Sequence, residues 1–289
     1  VSSSDPRRGG RASPTVDAMD DLRSLWRVQP RERPDLDAID PDADDGAPKK
    51  KSRLEDASEE LVERLADLQS RLWAERRRSL LLVLQALDAG GKDGTIRKVF
   101  TGINPQGVSV HAFKAPTEEE LEHDFLWRVH HHTPRAGEIA VFNRSHYEDV
   151  LVVRVDELVP ETVWRPRYES IRGFEQTLVD GGTSIVKVFL HISADEQADR
   201  FRDRLEEPDK RWKFSTGDLE VRKKWDHYQE AYSDALGETS TAASPWYVVP
   251  ANDKKYRNWA VLQILVATLE EMDPRFPEPE AGLDDIVIV

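Results

Sequence analysis

None of the 289 residues is cysteine. That excludes disulfides, thiolate nucleophiles and Cys-ligated metals. No apolar run approaches the roughly 18 residues that a membrane-spanning helix needs. The opening stretch, VSSSDPRRGG, lacks the apolar segment of a secretory signal, so a cytoplasmic protein without membrane contact is expected. Net positive charge is lacking too: 41 basic against 55 acidic residues leave a formal charge of -14. Such a field disfavours non-specific nucleic-acid binding but leaves room for a local basic channel. No internal repeat is visible. The 38% of apolar residues suffice for one large domain or two small ones.

Residues 1–56 are poor core material, with six aspartates between Asp35 and Asp45. A polar arm is expected there, partly disordered or docked on the body through Leu22, Leu25, Trp26 and Val28. From Glu59 the text changes. Leu61, Leu65, Leu68 and Leu72 recur three or four apart, which predicts one apolar helical stripe. SLLLVLQA (79–86) reads as a buried strand, followed by a helix over 91–103. Further strands are predicted at 108–113, 138–142, 183–192 and 246–250. Between and after them, helices are predicted at 118–132, 195–207 and 254–272. Thr117 with Glu120, and Ser193 with Glu196, have the spacing of capping boxes. Alternating strands and helices imply an α/β fold whose mostly parallel sheet is covered on both faces. The expected catalytic domain spans 57–275, with a tail at 276–289.

The chemistry concentrates where the first strand ends. Asp88, Ala89, Gly90, Gly91 and Lys92 form a glycine-rich turn at a predicted helix N-terminus, and Asp93, Gly94 and Thr95 open that helix. Backbone N–H groups and the helix dipole favour an anion there, and Lys92 adds a full charge. A standard phosphate loop reads G-x-x-x-x-G-K-[ST]. Gly91-Lys92 fits it, whereas Ala86 and Asp93 stand at the first glycine and the hydroxyl position. Asp88 would repel a phosphate unless a cation lay between them, which makes it a candidate Mg²⁺ ligand. A structural role, accepting a turn N–H, is the alternative.

The longer text is more specific. LQALDAGGKDGTIRKVFTGINPQGVSVHAFKAPTEEE resembles the signature of the polyphosphate kinase 2 family. VFNRSHYEDVLVVRV (141–155) resembles its Walker B-like segment, WKFSTGDLEVRKKWDHY (212–228) its lid, and SPWYVVPANDKKYRNW (244–259) its C-terminal block. The resemblance covers roughly residues 58–271. It implies a three-layer α/β/α, P-loop kinase-like fold with a helical lid at about 208–225. It also implies reversible, Mg²⁺-dependent phosphoryl transfer, Mn²⁺ being a substitute, from inorganic polyphosphate to AMP, ADP or both. A homodimer or homotetramer is implied as well.

By position, the resemblance gives Asp88, Gly91 and Lys92 metal and phosphate contacts. Many members carry aspartate where this chain has Asn143, and the resemblance links asparagine to the subgroup that accepts mono- as well as diphosphates. Asn143 is neutral, so it is expected to hold metal through a water. Arg144 is a fork-shaped phosphate clamp, or else a structural arginine, with Glu148 or Asp149 to orient it. In the lid, Lys210, Arg211, Lys213, Arg222, Lys223 and Lys224 mix with Trp212, Phe214 and Trp225. That mixture suits single-stranded nucleic acid or another polyanion. The acidic whole favours a lid over phosphates, with Arg211 and Lys213 in contact and Arg222–Lys224 either sharing that role or facing solvent along a helix. Lys114 is a weaker phosphate candidate. His130, His131 and His132 are expected on a helix surface rather than at a metal, because consecutive helical side chains diverge. The rival readings are an ATP-dependent nucleotide kinase and a non-enzymatic phosphate- or nucleic-acid-binding protein.

Overall fold

The computed structural model describes residues 22–283, together with Ile286 and Ile288. In chain order the elements are α1 (Lys51–Glu75), β1 (Ser79–Gln85), α2 (Lys92–Val99), β2 (Val108–Ala112), α3 (Glu118–Leu121), α4 (Trp127–His130) and β3 (Ile139–Asn143). There follow α5 (Val152–Val155), α6 (Glu161–Trp164), α7 (Arg167–Asp180), β4 (Thr183–His191), α8 (Ala194–Glu206), α9 (Thr216–Lys223), α10 (Trp225–Thr239), β5 (Trp246–Pro250) and α11 (Lys254–Met272). The strands pair in the order β2-β3-β1-β4-β5, every pair parallel.

The continuous apolar text of β1 is explained by its place: it is the central strand, and all seven residues are buried. Side chains alternate between faces. Leu80, Leu82 and Leu84 enter a core shared with α1 and α11, while Leu81 and Val83 enter one shared with α7 and α10. These two cores make the three layers. Leu61, Leu65, Leu68 and Leu72 of α1 are all buried, as their spacing predicts. Each such side chain stabilises the fold by about 1.5–3 kcal/mol.

Several local expectations are corrected. α1 starts at Lys51, so the boundary placed after residue 56 falls inside a helix. The predicted helix over 118–132 is two single turns, α3 and α4. Asp124 interrupts it by accepting the N–H of Leu126 on Oδ1 at 2.9 Å. Such local side-chain bonds compete with helix. The capping box at Thr117 and Glu120 is complete. The one at Ser193 is half made: Ser193 accepts from the Glu196 N–H, but Glu196 Oε1 takes Arg200 Nε and the Ser193 N–H goes to Asn252 Oδ1.

The first 21 residues of the expected arm lie outside the described residues. Residues 26–28 dock beside β5, where Val28 N–H donates to the Trp246 carbonyl and Val248 N–H to that of Trp26. The arm thus covers a sheet edge. Trp26 and Val28 are buried, whereas Leu25 is half exposed. No helix among the described residues is long and apolar enough to cross a membrane.

Candidate active site

β1 and β3 lie side by side, in register from Leu80–Ile139 to Leu84–Asn143. Their carboxyl ends therefore deliver Asp88–Lys92 and Asn143–Arg144 to one edge of the sheet, where open α/β folds bind ligands. The turn after β1 is built around two glycines. Gly91 caps α2 at φ 101°, and a Cβ there would meet Arg257 Nη1 at 2.0 Å. A Cβ on Gly90 would meet Ala86 Cβ at 2.5 Å. Ala89 adopts φ 61° without a glycine's freedom.

Side chains hold the turn's carbonyls. Lys92 Nζ donates to Ala86 O at 2.8 Å, Gln197 Nε2 to Asp88 O at 2.9 Å, and Arg200 Nη1 to Ala89 O at 2.9 Å. The first N–H groups of α2 are the kind left without helical partners. Burial, and then the neighbouring Arg144, push the Lys92 ammonium down to about 8.

Arg144 follows β3 at φ 61°, its N–H bonded to Leu84 O at 3.1 Å. Its Nη2 meets Asp88 Oδ1 at 2.5 Å, and its Nη1 lies 3.5 Å from Glu148 Oε2. Burial opposes the guanidinium charge, but Glu148 and Asp88 outweigh it and hold the group charged. Of the two acids expected near it, Glu148 pairs with Arg144. Asp149 instead meets Arg167 at 3.1 Å and Arg128 at 3.9 Å. Asn143 Nδ2 donates to Asp93 Oδ1 at 2.8 Å, which leaves the amide oxygen free of that bond. Thr95 is buried, with Oγ1 donating to Gly91 O at 3.1 Å.

The lid bends over α8 through a 3₁₀ turn at Pro208–Lys213 and then α9. Phe214 packs edge-on against Phe201 of α8 at 6.0 Å. Lys213 Nζ reaches to 3.9 Å from Asp93 Oδ2, which brings the lid to the turn. Arg211 is placed otherwise: its Nε donates to Leu205 O at 2.7 Å. Lys210 pairs with Glu207. Of the two places left open for Arg222, solvent is not the one it takes: its Nη1 donates to Ala194 O and Gln197 Oε1. Lys223 and Lys224 pair with Glu220 and Asp156. Lys114 is exposed, and its carbonyl accepts Arg128 Nη1.

His130, His131 and His132 diverge, meeting Phe174, Trp127 and His111 respectively. Among the described residues no group of three His, Cys, Asp or Glu gathers as a metal cage. Cavities of about 460 and 640 Å³ open beside the N-terminal arm and share no residue with the turn.

Sequence reasoning missed Arg200 and Arg257. Arg200 also donates to Ala251 O and Asn252 O, which ties the turn to the end of β5. Arg257, buried against Gly91, has its pKa pushed down to about 10 by burial and then by Arg200. One signal was present: Gln197, Arg200 and Phe201 are three and four apart, on the buried stripe of α8.

A parallel three-layer fold with a glycine-turn lysine, a strand-end arginine and a basic lid defines a P-loop kinase-like phosphotransferase. The comparisons specify it further. Residues 48–277 match the family described as polyphosphate kinase 2. An AMP/ADP-polyphosphate phosphotransferase of Meiothermus ruber is 56% identical over 91% of this chain and 98% of its own length. An ADP-polyphosphate phosphotransferase of Rhodopseudomonas palustris is 52% identical over 75% of this chain and 79% of its own. The crystal structure of polyphosphate kinase 2 from Arthrobacter aurescens TC1 superposes with a TM-score of 0.88 at 42% identity, covering 91% of this chain and 94% of that one. The chain belongs to the polyphosphate kinase 2 family.

Proposed function

We propose that this enzyme transfers the terminal phosphoryl group of inorganic polyphosphate to nucleoside mono- and diphosphates, converting AMP to ADP and ADP to ATP reversibly. The observation that carries the reading is the meeting of Asp88, Lys92 and Arg144 at the ends of β1 and β3. Transfer of a phosphoryl group requires positioning and charge neutralisation more than covalent chemistry. Polyphosphate as donor is supported by the relatives above. Both acceptors are named for the Meiothermus ruber protein.

In this reading Lys92 and the α2 N-terminus hold phosphate oxygens. Arg144, its guanidinium oriented by Asp88 and Glu148, meets the transferring group as a planar two-pronged donor. An oxygen of the nucleotide's terminal phosphate attacks the terminal phosphorus of polyphosphate in line. The bond to the next phosphate breaks, and the chain leaves one unit shorter. Lys213 comes in with the lid, which excludes water from the transfer. The residues fit Mg²⁺, which takes one or two carboxylates and completes its shell with phosphates and waters. Asp88 and Asp93 would offer the carboxylates, and Asn143, its N–H₂ given to Asp93, would turn its amide oxygen toward the ion's shell. When bound, the ion offsets the charge between Asp88 and the phosphates.

The test is a panel of AMP and ADP against polyphosphate and ATP, with products separated. Polyphosphate serving both acceptors supports the reading. Transfer from ATP alone would replace it with a conventional nucleotide kinase.

A further inference from the structure

Lys187 stands in the middle of β4 between Val186 and Val188, wholly buried, and pairs with Glu175 of α7, 1% exposed, at 2.6 Å. Its other two bonds go to Thr239 O at 2.7 Å and Tyr147 Oη at 3.1 Å. Glu175 Oε2 also accepts Ser244 Oγ at 2.9 Å. Glu175 Oε1 accepts the Tyr147 hydroxyl at 2.7 Å and lies 3.4 Å from His146 Nε2. The ammonium's three donors and both carboxylate oxygens are therefore used.

A buried ion pair is weak evidence of stability, since apolar residues of the same shape often serve as well. What this pair grips is informative. His146 and Tyr147 open the 3₁₀ turn His146–Asp149, and Arg144 lies just before it. Ser145 is tied down too, its Oγ accepting Gln85 Nε2 and the Tyr147 N–H, both at 3.2 Å. Arg144 at φ 61° is in a region that a residue with a side chain occupies only when its surroundings over-determine it. The start of the turn is fixed in the core by Lys187 and Glu175. Arg144 and the Glu148 that orients it stand on either side of that anchor.

We propose that Lys187 and Glu175 are positioning residues for phosphoryl transfer: through Tyr147 and His146 they fix the turn that aims Arg144 at the transferring group. The proposal rests on the functional reading above. It makes a core ion pair, with no route to substrate, a determinant of turnover rather than of substrate binding.

The test uses the full chain carrying Lys187→Met and Glu175→Gln together, so that no buried charge is left alone. Each of wild type, this variant, Arg144→Lys and the combination is assayed with polyphosphate and ADP. A displaced clamp costs on the order of 10²-fold in rate. The double variant is expected to lose about 30-fold or more in kcat, with nucleotide KM within about threefold. In the Arg144→Lys background the same pair should cost less than about threefold, because coupled residues are not additive. Hydrogen exchange at the amides of residues 145–149 should quicken in the folded variant while β1 and β4 keep their protection. Unchanged kcat, an equal loss in both backgrounds, or unchanged exchange overturns the proposal. Should the double variant fail to fold, Tyr147→Phe, which deletes one hydroxyl, runs the same cycle: a loss confined to the Arg144 background supports the proposal, and no loss or an additive one overturns it. The exchange measurement needs no substrate. Quickened exchange alongside a wild type inert toward polyphosphate would refute the functional reading and leave the anchoring of the turn standing.

Discussion

Arg144 Nη2 meets Asp88 Oδ1 at 2.5 Å, joining the segment after β3 to the segment after β1. The proposed clamp arginine and the candidate metal ligand are thus one electrostatic unit. Replacing Asp88 with Asn removes the negative charge that Arg144 meets and that a metal would meet. The rate is expected to fall by about 10²-fold or more, and half-maximal rate to require more Mg²⁺. Initial rates across a Mg²⁺ series check this. An unchanged Mg²⁺ requirement would make Asp88 a purely structural partner of Arg144.

Lys92 is expected to give the enzyme an alkaline limit. Its pKa is pushed down to about 8, so the ammonium proposed to attract phosphate is lost as pH rises through that value. In the free enzyme this appears in kcat/KM. The profile for ADP should fall above about pH 8, and Lys92→Arg, whose guanidinium stays charged, should retain a flat alkaline limb at a lower rate. A wild-type profile level to pH 10 would show that Lys92 does not govern binding.

The Asn143–Asp93 bond predicts a metal-dependent defect. Asn143→Asp would set two carboxylates against each other where an amide now donates at 2.8 Å. Without divalent metal the variant should be less stable by about 1 kcal/mol, since Asp93 is exposed and water screens the repulsion. Mg²⁺ should recover the loss, raising Tm more in the variant than in the wild type. Equal shifts in the two proteins would mean that Asn143 lies outside the metal's reach.

Lid residues should separate by role. Lys213 faces Asp93, whereas Arg211 ties the lid to the backbone of α8 at Leu205. Lys213→Ala should raise the polyphosphate concentration for half-maximal rate, most at low salt, because several cations hold a polyanion. Arg211→Ala should lower kcat with a smaller change in donor affinity, as a loosened lid would. Titrations at two salt concentrations distinguish them. Identical effects from both would place Arg211 in the same donor track.

The fold was readable because β1 and β4 are apolar runs too short for helices, and the Leu61–Leu72 stripe has helical spacing. The segment 118–132 misled because its composition suits a helix, while the break coincides with one hydrogen bond that Asp124 accepts from the Leu126 N–H. Asp88, Lys92, Asn143 and Arg144 were legible as candidates because each lies in a compact motif at a strand end. Arg200 and Arg257 lie on α8 and α11, far along the chain, and only folding brings them beneath the glycine turn. Lys187 carried a signal of its own: a lysine amid IVKVFLHI needs a buried partner, but nothing in the sequence says that Glu175 supplies it.

The central claim is that polyphosphate is the phosphoryl donor and that the glycine turn handles it. The direct measurement is ATP formation by the purified protein given polyphosphate, ADP and Mg²⁺, with no ATP added, beside Lys92→Ala. The account predicts ATP accumulating with time in the wild type and a rate about 10²-fold lower or less in the folded variant. No ATP from the wild type, or an equal rate from Lys92→Ala, would contradict it.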